Sequence, residues 1–350
     1  MNFFERYIFK EFVPYFILSN LFFIFLLLLD KLLNNSEFFF TNNITFLSLI
    51  ETFLFYLPTF LVFTIPTATL LSSIIVFNRL NTDLEITVIK LSGASNKTFL
   101  VPLFSFSLLG VFLSMACSLY ISPLGNKLAM DNIRLIVKRI SIDNIKEKEL
   151  YDKIPGLLVY VDKKLNYKTF KGMLIYNKNN NLLILSEKGH IENDNGGRLH
   201  FNLKNGSIIN EDKGFTNIIY KDFKIDFNIA TKWHTIANKE VFLGPLELFK
   251  SFKKSPIYKF QFSSNFAVPF ASLIMAFYGY FLGFLLKTHS KEICIFISFI
   301  VILIYYLFFI LFKSLIYENF NPFLAAWMPD LLLMFVLFPF FLKKIYENTL

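Results

Sequence analysis

Six stretches of the sequence are apolar for long enough to cross a bilayer, and they fall into two groups of three: 12 to 33, 53 to 77 and 98 to 121, then 262 to 286, 292 to 313 and 323 to 342. About 20 apolar residues, rising ~1.5 Å each along a helix, span the ~30 Å hydrocarbon core. A chain of 350 residues that is 55% hydrophobic, with a mean hydropathy of +0.51, is too greasy for an ordinary soluble protein. At 17% charged residues it is also too polar to lie wholly in lipid, and the long gap from Ser122 to Gln261 holds the aqueous part. The expected division is therefore 1–121, three spans; 122–261, an extramembrane domain; and 262–350, three spans, with the two transmembrane halves packed together. The first apolar run, Phe12 to Leu29, follows Arg6 and Lys10 but exceeds a signal-peptide core and has no small-residue cleavage pattern after it, so it reads as a retained span. Both cysteines, Cys117 and Cys294, fall inside predicted spans, which argues against a disulfide framework.

Basic residues in the short loops set the orientation. Arg6, Lys10, Arg79, Lys90, Lys97, Lys287, Lys291, Lys343 and Lys344 lie on one side, against Lys31 and Lys313 on the other. Both termini and the segment 80–95 are thus expected in the cytoplasm, and 122–261 outside. That outer segment carries 24 Lys+Arg against 15 Asp+Glu, so it holds the whole formal excess of +9. Such a surface suits anionic headgroups or an acidic partner; compositional bias with solvated lysines is the plainer reading.

The outer segment opens with a charged helical stretch, Asp131 to Leu150, and after Pro155-Gly156 the apolar period becomes two. Strands are expected at 157–161, 172–176, 182–185, 198–203 and 218–227, with turns at Asn179-Asn180-Asn181, 193–197 and Asn205-Gly206. Short strands separated by Asn/Gly turns indicate an antiparallel sandwich or jelly roll, and an open one would accept lipid tails. A short helix, Pro245 to Lys254, leads back to the membrane.

No P-loop, H-E-x-x-H or G-x-S-x-G motif occurs, and His190, His200, His234 and His289 have no metal-ligand spacing. The chain reads as a non-enzyme with no cofactor of its own and no nucleic-acid partner; work against a gradient would need energy from another chain.

Five features stand out. Between two spans, Asp83-Leu84-Glu85-Ile86-Thr87-Val88-Ile89-Lys90-Leu91 is a short charged helix with an apolar side. It fits a partner's groove, with the Glu85 carboxylate fixing register, and it fits equally a helix lying on headgroups. Lys31, beside Asp30 at the end of the first span, either snorkels to water or meets a lipid phosphate. Asp330 follows Pro329 inside the last span, as a functional intramembrane carboxylate, or as a side chain that caps backbone groups freed by the proline or bonds a neighbouring helix. Pro58 and Pro66 imply kinks, and Tyr305, Tyr306, Phe308, Phe309 and Phe312 make an aromatic stripe suited to packing or lipid contact.

The segment from Asp83 to Ser95 is similar to the S-E-[IL]-x-V-[ML]-x-A-x-G-x-[ST] run of the LptF/LptG family of lipopolysaccharide-export permeases, and Asn321-Pro322-Phe323-Leu324-Ala325-Ala326-Trp327-Met328-Pro329 resembles its P-x-x-A-A-W-x-P start of the last span. Leu57-Pro58 through Leu71 and the Leu203-Lys204-Asn205-Gly206 turn add support. The resemblance implies an α-helical membrane protein of six transmembrane helices with an inserted antiparallel β-jellyroll periplasmic domain, sited in the bacterial inner membrane. It implies a cytoplasmic ABC ATPase dimer carrying ATP and Mg, a second LptF/LptG-type permease, LptC- and LptA-like periplasmic jellyroll partners, and an anionic glycolipid cargo. It assigns Asp83, Glu85 and Gly93 to coupling with the ATPase and Lys31 to the lipid's phosphates. The Glu85-Ile86-Thr87-Val88 run looks closer to LptF. Two departures stand: Asn265 where the family usually has Arg, and Asp330 where Asn is common. A force-transmitting permease of MacB/FtsX type, or a membrane-embedded lipid-modifying enzyme, are the other readings; the first usually places its domain after the first span.

Overall fold

The computed structural model describes residues 3–34, 46–138, 145–154, 156–166, 168–177, 181–193, 198–210, 216–228, 239–286 and 290–347. Its helices are α1 (Phe3–Asn34), α2 (Phe46–Thr82), α3 (Glu85–Leu91), α4 (Lys97–Ala116), α5 (Ser122–Lys138), α6 (Pro245–Lys250), α7 (Pro256–Leu286), α8 (Lys291–Leu315) and α9 (Pro322–Glu347). Strands β1 (Leu150–Ile154), β2 (Leu157–Asn166), β3 (Thr169–Asn177), β4 (Leu182–Asn193), β5 (Arg198–Asn210) and β6 (Thr216–Asn228) come between α5 and α6. The chain divides into a helical unit, Met1–Leu28, Tyr56–Asn126 and Lys239–Leu350, and a second unit, Leu29–Phe55 and Lys127–Asn238, that contains the sheet.

Five helical stretches are long and apolar enough to cross a membrane: Phe3–Leu33, Leu47–Thr82, Lys97–Ile133, Pro256–Leu286 and Lys291–Glu318. The sixth apolar run forms α9, whose described apolar part, Pro322–Val336, is shorter. Helices α1, α2, α7, α8 and α9 extend past the apolar runs because flanking polar residues continue the same backbone hydrogen bonding. Helix α2 runs unbroken through Pro58 and Pro66. Between α4 and α5 the chain widens into a π-helical turn, Cys117–Ile121. Pro123 explains it: its ring clashes with the carbonyl four residues earlier and it has no N–H to donate. Thr59 of α2 secures that turn, bonding Ser122 at 2.7 Å and donating to Asn126 Oδ1 at 2.9 Å.

Small residues bring α2 and α7 together. A Cβ on Gly279 would lie 2.4 Å from Ser73 Cβ and 2.8 Å from the Leu70 carbonyl, and one on Gly283 would lie 2.8 Å from Phe77 Cβ. Without a hydrophobic force between helices in lipid, such close backbone approach is what holds them. The faces of α1 and α8 carrying Leu18, Leu21, Phe25, Phe296, Leu303 and Ile310 stay exposed, as lipid-facing surface should.

The six strands form one antiparallel sheet in sequence order, each paired with the next. Leu157, Val159, Val161, Ile175, Ile184, Ile191 and Phe201 are buried on one side, giving the unit its apolar interior. The strands are longer than the alternation suggests, because the buried positions slip by one residue partway along: Phe170 then Met173, Ser186 then Gly189. Gly172, at φ +63°, absorbs the slip in β3. Two sequence expectations are corrected here. Leu150 opens β1 instead of closing the Asp131 helix, which ends at Lys138 among the described residues. Asn205-Gly206 is no turn but the middle of β5, where Tyr220 donates to the Leu185 carbonyl at 2.7 Å across Gly206. A Cβ there would sit 2.5 Å from the Tyr220 hydroxyl. The turn at 193–197 falls mostly outside the described residues, as do Asn179 and Asn180.

Gly279→Ala is expected to destabilise the helical unit by about 1–3 kcal/mol, since the added carbon meets backbone. Gly110→Ala, which meets the Thr69 methyl at 3.1 Å, should cost less. Thermal unfolding of the two variants in detergent checks the order.

Candidate functional site

The segment between α2 and α4 is built by backbone geometry at both ends. Leu84 adopts a left-handed conformation, φ 59°, which turns the chain out of α2 and into α3. At the other end Gly93, φ +84°, closes α3: its N–H donates to Lys90 O at 3.0 Å and that of Ala94 to Ile89 O at 3.4 Å. This is the paired-bond termination that favours glycine one residue past the cap. No atom lies within 4 Å of where a Gly93 Cβ would stand, so the glycine answers to φ, not to crowding.

The apolar side expected of this helix is split in two. Ile86 and Ile89 are buried in a cluster with Ile8 and Phe12 of α1, Phe77 and Leu80 of α2, Phe99 and Leu103 of α4 and Tyr280 of α7. Leu84, Val88 and Leu91, spaced to share one helical face, are 64%, 65% and 82% exposed. Asp83, Thr87 and Lys90 are exposed beside them.

Glu85 faces its own chain. Tyr7 donates its hydroxyl to Glu85 Oε2 at 2.9 Å, Arg79 Nη2 donates to the Tyr7 oxygen at 3.2 Å, and Arg79 Nη1 pairs with Glu11 at 2.9 Å. The Arg79 to Glu85 separation is 3.9 Å, a looser pairing. With the Arg79 and Glu85 side chains 27% and 32% exposed, solvent weakens these pairs, and the network serves to seat α3 on α1 and the end of α2.

The remaining candidates are separate. Lys31 is half-buried in the last turn of α1, a helix that holds Glu85 through Tyr7 in its first turns. A cation there complements the helix dipole. Asn265 accepts from Gln261 one turn earlier at 2.9 Å, a neutral pairing. Asp330 is 2% exposed, and neither carboxyl oxygen has a hydrogen-bond partner, so it does not cap the backbone around Pro329. Beside it stands Tyr305, itself buried, while Tyr306 donates to the Phe63 carbonyl at 2.8 Å; the aromatic stripe of α8 is in part a packing surface. His190 bonds Glu192 at 3.0 Å and His200 bonds Asp226 at 2.6 Å, and the first pairing holds the Glu192 carboxyl below its usual range. Among the described residues no cluster could hold a metal; His234 and His289 lie outside them.

The family model for the lipopolysaccharide export system permease LptF/LptG matches residues 6–343. The chain belongs to the LptF/LptG family. A search of curated proteins finds no match. An LptF/LptG chain is a permease, not an enzyme, a multi-pass protein of the inner membrane that works in the Lpt export complex. The span helices and inserted antiparallel sheet accord with that membership. What sequence reasoning missed in this LptF/LptG chain is the inward half of α3 and its anchors Tyr7, Glu11 and Arg79. Their spacing, 72 residues between Tyr7 and Arg79, leaves no local signal.

A double-mutant cycle between Tyr7→Phe and Glu85→Gln should give a coupling of about 0.5–1.5 kcal/mol in unfolding free energy. Gly93→Ala should cost about 1–2 kcal/mol through its positive φ alone, read as faster proteolysis of the segment 80–95.

Proposed function

We propose that this chain is the membrane subunit of an ATP-driven lipopolysaccharide extractor in which a separate cytoplasmic ABC ATPase dimer, carrying ATP and Mg, docks on α3. The observation that supports it is the outward stripe of Leu84, Val88 and Leu91 on a helix whose other face is fixed to the spans. A short helix with an apolar stripe and flanking Asp83 and Lys90 suits a groove on a partner. Glu85 then acts as a positioning residue, holding the stripe outward through Tyr7 and Arg79, and Gly93 frees the return of the chain into α4.

The consequence for coupling is mechanical. Ile86 and Ile89 tie α3 to α1, α2, α4 and α7, so a partner that displaces α3 displaces four spans together. Allostery of this kind needs an element with two arrangements that the motor biases, and the seated α3 is our candidate. In this reading the short-loop basic side is cytoplasmic, residues 122–261 form the periplasmic domain, and its apolar interior receives lipid tails. Lys31 meets the glycolipid's phosphates. A second LptF/LptG-type permease completes the membrane cavity, and LptC- and LptA-like jellyroll proteins take the lipid onward. The Glu85 to Val88 run favours LptF over LptG for this chain.

Val88→Asp and Leu91→Asp put a charge on the exposed stripe without touching the core. ATPase co-purification should fall at least tenfold, since burying an unpaired carboxylate in an apolar groove costs several kcal/mol, with thermal midpoints unchanged. Full ATPase recovery with both variants would move the docking face elsewhere.

A further inference from the structure

The LptF/LptG reading leaves a buried carboxyl of the last span, Asp330, without a task. Asp330 sits in α9, which packs against α7 and α8. Its carboxyl is 2% exposed and both oxygens lack a hydrogen-bond partner. The Tyr305 hydroxyl of α8, 1% exposed, also lacks one, and the two groups lie side by side without completing hydrogen-bond geometry. The other ionisable groups nearby are committed: Tyr306 donates to the Phe63 carbonyl of α2, and Tyr278 of α7 donates to the Leu333 carbonyl, one turn from Asp330.

Among the described residues no counter-ion lies close along the neighbouring helices: on α1, whose Phe23 packs in the same cluster as Tyr305 and Leu333, the nearest charges are Asp30 and Lys31, seven and eight residues farther on. The cation of α8 nearest to Tyr305 is Lys313, eight residues or roughly 12 Å along the axis, and Lys291 and Glu292 are farther still. Helix α7 carries one cation, Lys259, nineteen residues before Tyr278. Helix α2 has no charged residue between Glu51 and Arg79. An ionised carboxylate here would be desolvated with no cation beside it among the described residues, a far greater cost than carrying a proton. As the neutral acid, the group can donate its O–H to the Tyr305 oxygen or accept from the Tyr305 hydroxyl, whereas a carboxylate could only accept.

We propose that Asp330 and Tyr305 form an intramembrane proton-binding site, with the carboxyl carried as the neutral acid. The ligand is the proton itself. Any arrangement of α9 that admits water to the pair releases it, so parting α9 from α7 and α8 is linked to one proton.

Infrared spectroscopy of the full chain in liposomes, with 13C-carboxyl aspartate, tests this at neutral pH. An isotope-shifted carboxylic-acid C=O band is expected in the wild type, absent from Asp330→Asn and displaced in Tyr305→Phe. A wild-type spectrum with aspartate in the carboxylate form only overturns the proposal. Should Asp330→Asn fold poorly, the wild-type band and its displacement in Tyr305→Phe still decide. In unfolding measurements above about pH 4, where a solvated aspartate has lost its proton, the wild-type folding equilibrium should weaken up to tenfold more per pH unit than that of Asp330→Asn. Equal slopes overturn it too. Neither readout involves the ATPase, so a failure here leaves the docking reading intact.

Discussion

Gly279 and Gly283 let the backbone of α7 approach that of α2 until a single added carbon would collide with the carbonyls of Leu70 and Ile74. The rest of the helical unit is arranged around this contact. In lipid the spans gain nothing from hiding apolar surface from water, so close packing must hold them. It makes α2 the enclosed helix and leaves α1 and α8 with broad exposed faces. The same helix then carries Phe77 and Leu80 into the cluster under α3, and Arg79 into the network that holds Glu85. The packing inside the membrane and the seating of the candidate coupling helix are therefore successive turns of one element.

That continuity changes what α3 can do. A free amphipathic helix on a flexible tether could bind a partner and transmit nothing. Here two isoleucines and a hydrogen-bonded carboxylate join it to four spans, and the short connections through Leu84 and Gly93 leave little slack. Force on the outer stripe passes to helix ends by direct packing. Asp330 lies in another part of the same unit, among α7, α8 and α9, and α7 touches both places: its Tyr280 packs under α3 and its Tyr278 reaches α9.

Much of this was legible in the sequence because hydrocarbon imposes a length and a polarity that composition cannot disguise. The six apolar runs became six helices, and the period-two segments became strands. Local rules failed where a distant group decided the outcome. Asn205-Gly206 reads as a turn, yet Tyr220 crosses it and keeps it in a strand. The π-helical turn before Pro123 follows from a proline effect one could have applied, but its pinning by Thr59 could not be foreseen.

The sequence by itself determined the membrane-spanning architecture, the inserted antiparallel β domain and, through the Asp83 to Ser95 and Pro322 to Pro329 runs, the family. Those are properties of contiguous residues, set by apolar length, alternation and local motif. Only the tertiary structure decided which face of α3 is open, that Glu85 is spoken for by Tyr7 and Arg79, and that Asp330 is buried beside Tyr305. A side chain's partners come from helices separated by tens to hundreds of residues, and their approach depends on packing that no local pattern records.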